Sequence, residues 1–110
     1  MATTYKILGQ AAPANTSEAT LYTVPAATQA VVSTIAVINL TASSAAATVN
    51  LCVNGAASAN ANTFLKSVSI PANTTVTFTS GITLGAADVI RITSGTGSAL
   101  AFQAFGSEIA

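Results

Sequence analysis

Short runs of strand-forming residues recur about every ten positions along this chain, and turn-forming residues separate them. The runs lie at residues 5–10, 20–24, 30–40, 47–53, 63–70, 75–80, 88–93 and 100–105. The separators include Asn54-Gly55 and the segment Ser94-Gly95-Thr96-Gly97, which has the composition of a hairpin turn. About eight short strands at this spacing predict an all-β fold, a single antiparallel β-sandwich with a jelly roll as one candidate topology.

This pattern leaves little room for helix or for a second domain. Ala is abundant, but its runs are short and flanked by Thr, Val and Ser, which favour strands and turns. We therefore expect any helix to be a single turn within residues 54–62. The 110 residues suffice for one core. Residues 1–110 are expected to form one sandwich domain with short N-terminal and C-terminal arms.

Alternation of apolar and polar residues assigns faces to several predicted strands. In the run 47–53 one face carries Val49, Leu51 and Val53, and the other carries Thr48, Asn50 and Cys52. The run 30–40 is apolar on both faces, with Val31, Ile35 and Val37 on one side and Val32, Ile38 and Leu40 on the other. Such a strand is either central to the fold or shared with a neighbouring subunit.

Charge is almost absent from this chain. It has three basic and three acidic residues, so its net charge is zero and 5% of its residues are charged, whereas soluble domains are usually about 25% charged. A folded monomer of this mass exposes roughly 5,500 Å², which leaves on the order of 900 Å² per charge. We infer that other subunits cover much of this surface when the protein acts. The alternative is a surface that Ser, Thr and Asn keep soluble.

The composition excludes several kinds of chemistry. With no His and one Cys, the chain offers no His-based catalysis, no His/Cys metal cage and no internal disulfide. No acid–base pair or activated nucleophile is visible. We predict no catalytic residue, no metal site and no cofactor. Asp88 is expected to fix a turn after Gly85, and Cys52 to be a small buried or subunit-facing residue.

Nucleic-acid and membrane partners are not expected. The three basic residues, Lys6, Lys66 and Arg91, are scattered, whereas phosphate binding needs clustered cations. The longest strongly apolar run, 30–40, is too short to cross a bilayer as a helix. No basic segment precedes an apolar one near the N-terminus, so we expect no secretory signal and synthesis in a cytoplasm.

Eight apolar residues are our candidates for contact with other subunits. They come from the two ends of the chain and from the two-faced run: Tyr5, Ile7, Leu8, Val31, Ile35, Val37, Phe105 and Ile109. The terminal members lie in segments too short to build a core alone. Docking onto another chain is one interpretation, and packing onto the parent domain is the other.

Five segments are distinctive in their order and spacing. They are TTYKILGQ at 3–10, TLYTVPA at 20–26, IPANTT at 70–75, GITLGAADVIR at 81–91 and FGSEI at 105–109. Each is ordinary strand-and-turn sequence, but together they extend over nearly the whole chain. In this arrangement the chain resembles small structural proteins encoded by tailed bacteriophages.

The resemblance implies a virion component without enzymatic activity, present in many copies. It is expected to be either a capsid decoration (cement) protein on the outside of the shell or a small tail, collar or baseplate subunit. The implied partners are further copies of itself and other virion proteins, in particular the major capsid protein. The implied location is the virion, after synthesis in the host bacterial cytoplasm. Capsid decoration is our working hypothesis, because a nearly uncharged sandwich suits close packing of many copies.

A carbohydrate-binding module is the more distant alternative, because β-sandwiches of this size often bind sugars. Such sites usually need exposed aromatic platforms. This chain has two Tyr, four Phe and no Trp. The aromatic content therefore disfavours sugar binding.

Overall fold

The computed structural model of this protein describes residues 2–79 and 81–110. Within that part of the chain there are nine strands: β1 (Thr3–Ala11), β2 (Ala19–Thr23), β3 (Gln29–Asn39), β4 (Ala45–Cys52), β5 (Thr63–Ile70), β6 (Thr75–Phe78), β7 (Ile82–Leu84), β8 (Val89–Ser94) and β9 (Leu100–Ile109). Two 3₁₀ turns, Val53–Gly55 and Asn60–Asn62, lie between β4 and β5. The prediction of an all-β fold is confirmed.

The strands form two antiparallel sheets. Sheet A has the order β1-β9-β3-β6, with β7 pairing with β3 beside β6, and sheet B has the order β2-β8-β4-β5. The pairs β1–β9, β2–β8, β3–β6 and β4–β5 form one long antiparallel ribbon, which rolls up so that β9 meets β3 and β8 meets β4. This connectivity is that of a jelly roll.

Three local predictions need correction. Strand β7 was missed, because alternation cannot be recognised in only three residues. The run predicted at 75–80 ends as a strand at Phe78, and position 80 lies outside the described residues. The turn at residues 94–97 is not a hairpin, because it joins β8 of sheet B to β9 of sheet A, and the strands of a hairpin must be paired neighbours.

The segments expected to be terminal arms are paired strands. β1 and β9 pair from Thr3 opposite Ile109 to Ala11 opposite Phe102. Beyond them, the backbones of Ala2 and Ala110 exchange two hydrogen bonds of 2.9 Å. Pairing satisfies backbone groups that an isolated arm would leave to water. The two segments therefore lie within sheet A.

The core lies between the sheets, and a bulge in β3 decides which residues enter it. The register between β3 and β9 shifts at Ser33. Val32, Ile35 and Val37 consequently all face the core, whereas Val31 faces outward. The prediction that Val31 shares a face with Ile35 and Val37 is wrong, because one extra residue reverses the alternation.

The faces predicted for β4 hold within the strand. Val49 and Leu51 pack against the core, while Asn50 and Cys52 are buried without belonging to the core cluster. Val53 is the exception, since it lies in the 3₁₀ turn after the strand and is 71% exposed. Alternation stops applying where the chain leaves the sheet.

Candidate functional site

Five of the eight candidate contact residues lie together on the outer face of sheet A. They are Tyr5 and Ile7 on β1, Phe105 and Ile109 on β9, and Val31 on β3. Ile7 lies directly opposite Phe105, and Tyr5 and Val31 lie on either side of Ser107, so the five residues share one region of three adjacent strands. None of the five packs against the core cluster. We call these five residues the apolar face.

The apolar face is open to solvent at the edge of the sheet. Tyr5 is 83% exposed and Ile7 is 53% exposed. Towards the middle of the sheet, a shallow depression of about 300 Å³ is lined in part by Val31, Ile109 and Thr83. Large apolar side chains that are held on a sheet without a cover are typical of a surface that another protein contacts.

The other three candidates belong to the core. Ile35 and Val37 are fully buried, because the bulge at Ser33 keeps them facing sheet B. Leu8 is buried as the extra residue of a second bulge, where the register of β1 against β9 shifts. All three pack within their own domain, so they are not available to another chain.

Among the described residues, the outer face of sheet A carries no charged side chain. Lys6 and Glu108 lie on strands of this sheet, but they alternate with Tyr5 and Ile109 and so point to the opposite side. The other four charged residues, Glu18, Lys66, Asp88 and Arg91, lie in strands of sheet B or in the segments just before them. Charge is therefore confined to the other side of the molecule and to the junction between the sheets.

At that junction, Glu108 joins the two sheets. Tyr22 of β2 donates from Oη to Glu108 Oε2 at 2.5 Å, and Lys6 Nζ lies 2.9 Å from Glu108 Oε1. Burial, and then the bond to Glu108, raise the pKa of Tyr22 well above its ordinary value. The hydrogen bonds from Tyr22 and Lys6 hold the pKa of Glu108 below its ordinary value. Tyr22 thus stays neutral while Glu108 is ionised, and the bonds of Glu108 link β2 of sheet B to β1 and β9 of sheet A.

The outer face of sheet B carries a polar groove of about 440 Å³. Its lining includes two charged side chains and several amides and hydroxyls: Glu18, Lys66, Asn50, Asn60, Ser58, Thr48, Thr63 and Thr93. Strands β4, β5 and β8 contribute most of these residues. The connection between β4 and β5, residues 53–62, folds over the sheet and supplies Ser58 and Asn60, and Glu18 comes from the segment before β2. We call this connection the covering loop.

Asn50 holds the covering loop in place. Its Nδ2 donates to Asn62 Oδ1 at 2.8 Å, to Thr63 Oγ1 at 3.2 Å and to the Ala59 carbonyl at 3.4 Å. Asn62 in turn accepts the Ala59 N–H at 3.0 Å. An amide can satisfy several partners from one position, and this explains why a polar residue is buried on an outer face.

Cys52 lies beneath the same loop. It is a free, buried thiol whose Sγ is 3.8 Å from Ser58 Oγ. Ser58 Oγ also donates to the Glu18 carboxylate, which links the loop to the segment before β2. The prediction that Cys52 is a small buried residue is confirmed.

Asp88 fixes the turn before β8, as predicted. Its Oδ2 accepts the Gly85 N–H at 2.8 Å, and its Oδ1 accepts the Asn54 N–H at 2.9 Å. Arg91 donates from Nη2 to the Gly55 carbonyl at 2.9 Å. Both charged side chains therefore anchor backbone at the start of the covering loop.

Among residues 2–79 and 81–110, there is no cluster of three or more His, Cys, Asp or Glu that could hold a metal ion. In the same part of the chain, no helix has the length and apolar character needed to cross a membrane. No family model, curated protein or solved structure matches this chain.

Proposed function

We propose that this protein is a non-enzymatic structural component of a tailed-bacteriophage virion, a capsid decoration (cement) protein bound in many copies to the outside of the shell. The observation that carries the proposal is the charge-free outer face of sheet A, with Tyr5, Ile7, Val31, Phe105 and Ile109 together on it. Its proposed partners are the major capsid protein and further copies of itself. It would be made in the host bacterial cytoplasm and act in the virion.

Physical considerations support this role. A decoration protein meets shell subunits at many equivalent sites, so modest apolar contacts add up over the particle. Copies around a local symmetry axis bring identical surfaces together, and like charges there would repel. A face without charges avoids that repulsion. The sequence resemblance to small phage structural proteins adds a second, independent argument.

Copy number tests the proposal. The chain should be found in purified virions of its phage at hundreds of copies, measured by quantitative gel or imaging against the major shell protein. A few dozen copies or fewer would favour the alternative, a small tail, collar or baseplate subunit, for which the same apolar face would serve. Absence from the virion would overturn both.

A matched pair of variants connects the apolar face to binding. Val31→Lys places a charge on the apolar face, and burying it without a partner should lower occupancy on the particle by at least about tenfold. Thr93→Lys, in the polar groove, is the control and should bind as the wild type does. Equal occupancy of the two variants would show that another surface makes the contact.

The polar groove is where the more distant alternative, carbohydrate binding, would take place. Its hydroxyl and amide groups could bond sugar hydroxyls, but no described residue that lines it is aromatic. A glycan that protects groove amides from hydrogen exchange would favour this alternative over virion structure.

A further inference from the structure

The edge of β1 has backbone groups that point to solvent next to exposed apolar side chains. Ala2 and Ala110 bond reciprocally, and bonded pairs alternate along an antiparallel ladder. Thr4 and Lys6 therefore direct their N–H and C=O groups to β9, whereas Thr3, Tyr5 and Ile7 direct theirs to the free edge. Each residue from Thr3 to Ile7 is exposed. Three N–H donors and three C=O acceptors are thus available for pairing with another strand.

The remaining edges of the sandwich have features that discourage pairing. The far edge of sheet A is divided between β6, with four residues, and β7, with three. In sheet B, β2 has five residues and a register shift. Strand β5 carries Lys66 and a residue of positive φ, Ser67 at 48°. β1 is nine residues long, contains no Pro, and is regular from Thr3 to Ile7.

We propose that two copies of this chain pair through their β1 edges, antiparallel about a two-fold axis at Tyr5. Tyr5 then lies opposite Tyr5 of the second copy, and Thr3 lies opposite Ile7. In this register all six free backbone groups of each copy form hydrogen bonds, because Thr3, Tyr5 and Ile7 of one copy lie opposite Ile7, Tyr5 and Thr3 of the other. The two copies of sheet A become one continuous sheet by strand addition.

Charge placement favours a second copy as the occupant. Lys6, the one charged residue of β1, is bound to Glu108 on the inner side of the sheet. In the proposed register it lies opposite Thr4 of the other copy, so no like charges face each other. The Tyr5 and Ile7 side chains of both copies meet on the outer face and extend the apolar face across the axis. This pairing gives an interface to the self-association in the proposed function, but its evidence is the backbone geometry and charge placement of β1 and does not depend on the virion role.

Cross-linking tests the register directly. Residues in a bonded antiparallel pair have Cα atoms about 5.5 Å apart, within the range of roughly 4.4–6.8 Å that a disulfide needs. In a Cys52→Ser background, Tyr5→Cys should form a covalent dimer under mild oxidation. Thr4→Cys is the matched control and should not, because Thr4 lies opposite Lys6 of the other copy, so the two introduced thiols are offset by two residues along the strands.

Introducing complementary charges at two facing positions gives a second test, in which analytical ultracentrifugation measures dimerisation without a covalent link. Ile7→Glu should weaken the wild-type dimer at least about tenfold. Adding Thr3→Lys to the same chain should restore it, since each introduced lysine then faces the glutamate of the other copy. Circular dichroism should show that all variants keep the fold, because these side chains lie outside the core.

A wild-type chain that stays monomeric at high concentration would overturn the pairing. So would a dimer that neither Ile7→Glu nor the double variant alters, because another surface would then hold it. These outcomes are separate from the virion test. A β1 dimer that is absent from particles would contradict only the proposed function. A decoration protein that forms no β1 cross-links would contradict only the pairing.

Discussion

The outer faces of the two sheets differ in which side chains they expose: sheet A exposes apolar residues, whereas sheet B buries polar ones. On sheet A the apolar side chains Tyr5 and Ile7 are exposed, at 83% and 53%. On sheet B the polar Asn50 is buried, at 6%, and the thiol of Cys52 is fully buried. The difference is the covering loop, which folds over sheet B, whereas nothing in the described chain lies over the apolar face.

The comparison shows that hydropathy alone does not decide burial in a sandwich this small. A polar residue can be buried if a loop supplies its hydrogen-bond partners, as Asn62 and Thr63 do for Asn50. An apolar residue stays exposed where the chain supplies no cover. One sheet therefore completes its surface within the monomer, and the other keeps apolar side chains in contact with solvent.

The largest expected effect comes from disturbing the close contact between β9 and β3 beside the bulge in sheet A. A Cβ at Gly106 would lie 1.9 Å from the Val31 carbonyl oxygen, beside the bulge that turns Val31 outward. Because backbone must move, Gly106→Ala should lower the free energy of unfolding by about 3 kcal/mol, measured by chemical denaturation.

The matched control for that substitution is Gly85→Ala. The nearest atom to a Cβ there is Asp88 Oδ2, at 3.8 Å, an ordinary contact. The loss should stay within about 0.5 kcal/mol. Equal stability of the two variants would contradict the view that close packing of β9 on β3 positions the apolar face.

A smaller effect is expected when the cover of sheet B is loosened. Asn50→Ala removes the amide that bonds Asn62 and Thr63, and it should cost about 2 kcal/mol. Hydrogen exchange should increase in residues 56–62 and stay unchanged in β1. Thr93→Ala, on the same face, is the control and should change stability by no more than about 0.5 kcal/mol. Unchanged exchange in the Asn50 variant would mean that other contacts hold the loop.

The smallest effect concerns the tie between the two sheets. Because the pKa of Glu108 is lowered in the folded protein, its contribution is present above its unfolded pKa, near 4.3, and is lost as pH falls through the folded value. The raised pKa of Tyr22 acts in the other direction, so that contribution is lost as pH rises above about 10.

Glu108→Gln tests the contribution of the Glu108 carboxylate to stability at acid pH. It should cost about 1 kcal/mol at neutral pH, because the charge-assisted bonds from Tyr22 and Lys6 are weakened. The difference from the wild type should shrink as Glu108 itself becomes protonated, and thermal denaturation across acid pH measures it. A difference that does not change with pH would show that the carboxylate charge contributes nothing.

Part of the candidate site could be predicted from the sequence, and two of the three misplaced residues share one cause. Of the eight candidates, five are on one face, where Tyr5 and Ile7 are exposed and Val31, Phe105 and Ile109 are half-buried. Ile35 and Val37 were grouped with Val31 because the bulge at Ser33 reverses the alternation, whereas Leu8 follows Ile7 directly and so points to the core side of β1. A bulge depends on which strand lies opposite, and a single run of residues does not contain that information.

By itself, the sequence determined the all-β class, the near absence of charge and the turn at Asp88, because strand propensity, composition and short-range hydrogen bonds are local properties. The tertiary structure alone decided the rest. It brought β1 beside β9, joined Glu108 to Tyr22 of the other sheet and buried Asn50 beneath a loop. These contacts join residues far apart in the chain, and their partners are set by the way the jelly roll closes, which the local pattern does not specify.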